Sequence, residues 1–596
     1  MKQDKKSGRD VIAEYLTDAD SLPTGSMSAV PSTAPDGIAV PANRNTALYT
    51  AHSYHTKVPP EAIVPFIEHF TAPGDLVLDL FCGSGMTGVA AAMIGRQAIL
   101  NDLSPAAVHL AWNHTQACDP NQLGETFKSI EREVGSAIKE LYSTSDSTGD
   151  EGLIFWTMWS TIHACPECKS EFSMWAAMDK ESGRMGASIT CPCCKKSLKR
   201  RGLVSIDSTP VWISYKTKSG IRREKPASEG DIARAKAFKR SDISEWYPNV
   251  SLGPDREMYI RCALNLKGIK EVADFYTPRN LHALAIIWAA IEKIEDQRLR
   301  AVMMFAFTNT AWHGTRMRRF NARGGQRPLT GTLYIPQLSS EVNVLEVMRN
   351  KIAQLKRYYS SYRPLLGRSP SIINGSATTL REVRDESIDY VFTDPPFGSN
   401  LFYADCNLIW ESWLGKITDP TEEAVINSSL SEKNGGKTLA NYEELMTLSL
   451  RQIARVLKPG GWATIVFHNT DGDVWGALHS AAIKAGFEFH EASSLDRKQQ
   501  SHKGYKGRSG EEDVAHFDVV MNLRKPLTDV VSTARNISYG QARSDLRTMI
   551  NAATSDPNTI ARGAQGVHAE IVRRLVSKGE AVFFDFADVR RILEEN

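Results

Sequence analysis

No stretch of this 596-residue chain approaches the ~20 uninterrupted apolar residues of a membrane span. Its opening, MKQDKKSGRDVIAEYL, lacks the apolar run of a signal peptide. Neither sign of charge dominates, because 71 Lys+Arg face 69 Asp+Glu for a net charge of +2. Repeats of solenoid length are missing as well. These absences exclude a membrane protein and a secreted scaffold, and the expectation is a soluble, cytoplasmic chain with no membrane partner. Thiols stay reduced in that compartment, so the nine cysteines need another explanation than a disulfide framework. At ~150 residues per domain the length predicts three or four domains.

Residues 1–45 are rich in Ser, Thr, Pro and Gly and read as a disordered tail, unable to offset chain entropy by burial. From 46 to 115 the pattern is helix, strand, Gly-rich loop, helix, strand, helix. A similar pattern resumes at 366–525, with SIINGSA, SIDYVFTDPP, WATIVFHN and HFDVVMNL as strands. The fold class expected is α/β, a doubly wound Rossmann-like sheet interrupted by a long insertion over 116–365. Residues 526–596 read as a helical C-terminal extension.

Gly83-Ser-Gly85-Met-Thr-Gly88 follows the strand LVLDLF, and Asp102 ends the next strand 19 residues after Gly83. This matches a dinucleotide fingerprint, in which the acid binds ribose hydroxyls. Asp79, just before the loop, argues against a pyrophosphate, which it would repel. A cationic ligand with an amino group suits it, and S-adenosylmethionine (SAM) has that character. Gly83 and Gly85 would let the backbone approach the cofactor while Asp102 holds the ribose. A tight turn without any ligand explains the glycines less fully.

Asp394-Pro395-Pro396-Phe397 sits where a parallel strand leaves the sheet, the edge at which such folds place ligands. Two prolines stiffen the turn and donate no hydrogen bonds. The Asp394 carboxylate and Pro395 carbonyl could accept hydrogen bonds from an exocyclic amine and help remove charge as a methyl group arrives. Phe397 offers a ring on which an extruded base could stack.

With both motifs in one sheet, the chain resembles the exocyclic-amino DNA methyltransferases, which make adenine-N6 or cytosine-N4 methyl groups. Phe81-Cys-Gly83-Ser-Gly85 resembles the family's cofactor motif and Asp394-Pro-Pro-Phe397 its catalytic motif. Tyr54-His-Thr56-Lys57-Val-Pro59 resembles the segment flanking the cofactor, which implies that Thr56 and Lys57 touch its methionine end. The resemblance further implies double-stranded DNA as partner and target recognition within about 201–365. Asp at position 394 favours adenine N6. Membership in restriction–modification or phage defence, with a nuclease or defence partner, is implied by resemblance alone. Alternatives are a cytosine-N4 enzyme, an RNA guanine-N2 methyltransferase, which the turn also resembles, and a non-enzymatic nucleic-acid-binding protein. Asn would be expected in place of Asp394 for glutamine methylation.

Cys165-Pro-Glu-Cys168 and Cys191-Pro-Cys193-Cys194 form two C-x₂-C pairs separated by 22 residues. Four thiolates in two knuckles suit structural zinc, in a ribbon over about 160–200, with Cys193 as the spare. Pro192-Cys193 also resembles the nucleophile of cytosine-C5 methyltransferases, but its place inside a knuckle opposes that role. From Cys191 to Arg240 there are 14 Lys/Arg against four Asp/Glu. Two Gly-rich basic loops, containing Arg316, Arg318 and Arg319 and then Lys498 and Lys503, are the expected nucleic-acid contacts. Tyr403, Asp405 and Asn407 could line a base pocket, though packing explains them equally well. His468 reads as a structural histidine.

Overall fold

A computed structural model describes residues 9–26, 31–33, 46–145, 149–178, 186–200, 203–320, 327–362, 369–496, 517–527, 542–560, 563–582 and 584–595. Seven strands form the central sheet: β1 (Leu76–Asp79), β2 (Gln97–Asp102), β3 (Ser371–Asn374), β4 (Ile388–Thr393), β5 (Leu457–Phe467), β6 (Glu488–Asp496) and β7 (Phe517–Arg524). Their spatial order is β3-β2-β1-β4-β5-β7-β6. The first five run parallel, and β7 is antiparallel to both of its neighbours. The order reverses beside β1 and β4, so the carboxyl ends of these adjacent strands open a crevice suited to a ligand.

Strands buried on both faces read as continuous apolar runs, as LVLD and YVF do. Val77, Tyr390, Phe392 and Val466 enter one core, while Leu76, Leu78, Val391 and Ile465 enter the other. The helices Pro60–Phe70 and Pro105–Thr115 pack into the first core. The second core is closed by Leu439–Val456, Gly472–Lys484 and the C-terminal helix Gly563–Ser577.

Part of the segment between β2 and β3 packs on this sheet. Helices Pro278–Glu292, Gln297–His313 and Val344–Tyr362 contribute Leu284, Phe305 and Tyr358 to the first core. The buried Arg256 pairs with Asp405 at 3.3 Å, and Asp405 also accepts the Met258 amide. Asp405 therefore fastens the region 201–365 to the segment after the Asp394–Phe397 turn. A long antiparallel pair, Glu151–Ala164 with Ser205–Thr217, carries the cysteine knuckles at one end.

The expected disordered tail over 1–45 is corrected for residues 9–26. Val11, Ile12 and Tyr15 are buried in the first core, and Tyr15 stacks on Trp112 at 4.6 Å. The Thr17 amide donates to Ile372 of β3, so this strap covers the sheet's exposed edge.

Gly85 has a φ of +79°, and a Cβ there would lie 2.6 Å from the Ala111 Cα. It lets two helices approach and does not line the cleft described below, which corrects its expected cofactor contact. Gly85→Ala combines overpacking with a left-handed backbone, so a loss of about 2–4 kcal/mol is expected. A lowered urea midpoint with retained secondary structure is the measurement.

Candidate functional site

The crevice at the ends of β1, β2 and β4 opens to solvent and is lined by Thr56, Lys57, Asp79, Phe81, Gly83, Asp102, Asp394 and Pro396. Residues 79 and 394 are thus brought to one cleft by parallel strand pairing (Leu78 with Val391), not by proximity in sequence.

Asp79 ends β1 with its carboxylate turned into protein donors. The Thr87 hydroxyl donates at 2.5 Å and the Thr393 hydroxyl at 2.8 Å, and the Phe81 amide donates at 3.2 Å. Thr393 immediately precedes Asp394, so one hydroxyl joins the glycine loop to the Asp-Pro-Pro-Phe turn. Asp102 accepts the amides of Gly83 at 2.8 Å and Ser104 at 2.9 Å. Burial pushes Asp79 up to about 6 and Asp102 up to about 7, against the opposing effect of these hydrogen bonds. The buried Asp79 and half-buried Asp102 in one cleft disfavour an anionic ligand and welcome a cation. Gly83, with φ +49°, brings the backbone under Tyr54, whose ring carbon would be 3.0 Å from an added Cβ.

Several expectations change at this site. Lys57 lines the cleft, but its amino group donates to the carbonyls of His52 at 2.8 Å and Tyr49 at 3.3 Å. Burial, then Lys351, lowers its pKa to about 7. It braces the chain ahead of the first helix. Thr56 shares a hydrogen bond with the Tyr403 hydroxyl at 3.1 Å. Phe397 is only 5% exposed and packs edge-on against Phe467 at 5.5 Å, inside the second core. Its expected role as a stacking platform is therefore corrected. Pro395 is buried, while Tyr442 donates to the Pro396 carbonyl and Asn469 to the Phe397 carbonyl, pinning the turn.

Tyr403 does line the cleft, whereas Asp405 is occupied by Arg256. Asn407 donates to Ser104, whose hydroxyl donates to the buried Glu411 at 2.6 Å. Thr393, Glu411, Thr418 and Glu423 are residues of the site or its support that no local motif marks. Glu423 accepts the amides of Tyr403 and Ala404, and burial raises its pKa to about 8. His468 faces Asp518 at 3.3 Å, in keeping with a structural role.

The Sγ atoms of Cys165, Cys168, Cys191 and Cys194 lie within 4.8 Å of one another. Cys165 and Cys194 are 3.8 Å apart and Cys168 and Cys191 are 3.9 Å apart. A tetrahedron of thiolates ~2.3 Å from zinc has edges of about 3.8 Å, so the donors fit that ion. The knuckles are alike: Lys169 and Lys195 both have φ of 62° and donate their amides to the carbonyls of Cys165 and Cys191. Cys193 is exposed and belongs neither to this cluster nor to the cleft lining, which excludes the nucleophile reading.

Of the two basic loops, only part of the first is described. Arg316 is half-buried and donates to the Asp274 carbonyl at 3.1 Å. Arg318 is half-buried beside His313 at 3.2 Å, and desolvation lowers its pKa to about 10. Arg319 is exposed. Lys498 and Lys503 lie outside the described residues. No helix among the described residues is long and apolar enough to cross a membrane.

Residues 35–113 match the DNA methylase family of N6/N4 enzymes. Two curated relatives, the type II methyltransferases M.XycI of Xanthomonas campestris pv. cyanopsidis and M.Cfr9I of Citrobacter freundii, are each 40% identical over 79 residues. Each alignment covers 13% of this chain and 26% of the relative, so the chain spans about a quarter of their length. Among solved structures, the antibiotic-resistance methyltransferase Kmr aligns with a TM-score of 0.15 and 13% identity, over 30% of this chain and 71% of that one. The 16S rRNA (adenine(1408)-N(1))-methyltransferase from Catenulisporales acidiphilia aligns with a TM-score of 0.16 and 10% identity, over 32% and 75%. The segment that carries the glycine loop and Asp102 is thus similar to the N6/N4 DNA methylase family over residues 35–113.

Proposed function

We propose that the protein transfers a methyl group from S-adenosylmethionine to an exocyclic amine of double-stranded DNA, with adenine N6 as the target. The observation that carries this reading is that Asp394 and the Asp79–Gly83–Asp102 loop face one cleft. The proposed catalytic unit joins residues 46–115 to 366–525. The cofactor, when bound, supplies the electrophilic methyl group. Asp79 and Asp102 offer negative charge to its amino and ribose ends, and Gly83 gives it room beneath Tyr54. Asp394 accepts a hydrogen bond from the target amine and favours loss of its proton, with the Pro395 carbonyl as a second acceptor. Structural zinc on the four cysteines holds the ribbon, whose exposed Lys195 and Lys199 suit phosphates.

The test is transfer of labelled methyl groups to unmethylated duplex DNA, with RNA and protein as controls, followed by digestion to nucleosides. N6-methyladenine is expected. N4-methylcytosine would retain the mechanism and correct the base, and labelling of RNA alone would overturn the assignment.

Cofactor affinity is expected to depend on pH. The folded-state values of about 6 and 7 for Asp79 and Asp102 lie above the unfolded carboxylate value. The stability associated with their protonation is present below ~4 and lost as pH rises through ~7. A bound cation works in the opposite sense and favours the ionised pair. Affinity should therefore rise about tenfold from pH 6 to pH 8, as Asp102 ionises. Calorimetric titration with SAM measures this, and Asp102→Asn should flatten the rise.

A further inference from the structure

The exocyclic-amine reading needs a surface for the extruded base, and Phe397 does not provide one. Its ring is 5% exposed, packed edge-on against Phe467 and near His468, and its carbonyl is held by Asn469. Bringing it into the cleft would empty a site in the second core and open the pinned turn. Tyr403 is placed differently. It lines the same cleft as Asp394, is only half-buried, and begins a short helix nine residues downstream of that acid.

Three contacts fix its orientation. The Tyr403 amide is held by the buried Glu423 carboxylate, which also takes the next amide, so the ring's backbone is anchored from the floor of the cleft. Its hydroxyl meets Thr56 at 3.1 Å. Its ring lies 6.1 Å from Tyr54 with an interplanar angle of 25°, and Tyr54 stands over the Gly83 backbone. Tyr403 thus lines the cleft it shares with Asp394, with its ring held between Thr56 and Tyr54. Stacking on such a ring is tolerant of base identity and needs no movement of the core.

We propose that Tyr403, and not the phenylalanine of the Asp-Pro-Pro-Phe turn, is the ring on which the extruded base stacks, with Glu423 as its positioning residue. This inference rests on the DNA-methylation reading above. The turn then divides its work: Asp394 addresses the amine, and Phe397 anchors the turn in the core.

The experiment compares wild type, Tyr403→Ala, Tyr403→Phe and Phe397→Leu in the full chain, on duplex oligonucleotides that carry the site mapped with wild-type protein. Each site is tested paired and with a mismatch opposite the target base. Tyr403→Ala is expected to slow transfer by about 5- to 150-fold on the paired site, the range for loss of one base–aromatic stack. A mispaired base costs less to extrude, so the deficit should shrink on the mismatch. Tyr403→Phe should retain the ring and most of the rate. Phe397→Leu should lower the melting temperature while leaving a defect that the mismatch does not rescue. Because Tyr403 also meets Thr56 and Tyr54, transfer is compared at saturating cofactor for all four proteins, with cofactor affinity measured in parallel.

The proposal is overturned if Tyr403→Ala transfers at the wild-type rate, if its deficit is equal on both duplexes, or if mismatch rescue belongs to Phe397→Leu instead. Failure of wild type to methylate any duplex would sink the DNA reading itself, and is distinguishable because no variant comparison then arises.

Discussion

Asp394→Ala is expected to lower methyl transfer by about 10²–10⁴-fold, the range for loss of a positioned acid–base group. The effect should fall on the rate of transfer and not on cofactor affinity. Asp79 keeps its hydrogen bonds from Thr87 and Thr393, and Asp102 keeps the amides of Gly83 and Ser104. Tyr442 and Asn469 continue to hold the carbonyls of Pro396 and Phe397, so the turn should keep its course. Asp394→Asn retains an acceptor oxygen without the charge and should fall between wild type and alanine. Single-turnover labelling with preformed protein–cofactor complex separates the steps. An alanine variant that transfers at the wild-type rate would remove Asp394 from the mechanism.

The parts of the site that were legible in the sequence are those fixed by local chemistry. LVLDLF followed by glycines and SIDYVFT followed by Pro-Pro each state a strand and its turn within a dozen residues, and the structure places both in adjacent strands. The C-x₂-C pairs are similarly self-contained. Thr393 carries no such signature, because its partner Asp79 is 314 residues away in the chain. Glu423 and Glu411 become site residues only through folding, one beneath Tyr403 and the other against Ser104.

The strap over residues 9–26 had a signal, the apolar positions of Val11, Ile12 and Tyr15, but the Pro- and Ser-rich stretch after it masked them in composition. Strand β6, EFHEASSLD, is polar enough to pass for a loop, and its place at the sheet edge next to β7 explains why that composition is tolerated. Charge runs are the hardest part of the sequence to read. A guanidinium written in the sequence does not reveal whether it faces phosphate or, as Arg316 does, a backbone carbonyl.

Metal removal tests the other long-range feature of the chain. The protein as purified is expected to hold one zinc ion, and chelation or Cys165→Ser should release it. Among the described residues, little else holds the ribbon. Its hairpin strands, Ser188–Thr190 and Ser197–Lys199, have three residues each, and its own core is built of Phe172, Met174, Ile189, Leu198 and a few neighbours. A hairpin of that size is marginal alone, whereas zinc contributes ~10–16 kcal/mol of apparent binding free energy in zinc-finger peptides. Loss of the ion should therefore open residues 165–200 to proteolysis while the central sheet stays folded. Cofactor affinity should not change, because no ribbon residue lines the cleft. Affinity for duplex DNA should fall, and its salt dependence should become shallower, if Lys195 and Lys199 contact phosphates. Metal analysis, limited proteolysis and salt-dependent DNA titration read these outcomes separately. A ribbon that remains protected without metal would assign its stability to packing, and a parallel loss of cofactor binding would mean that the ribbon supports the cleft.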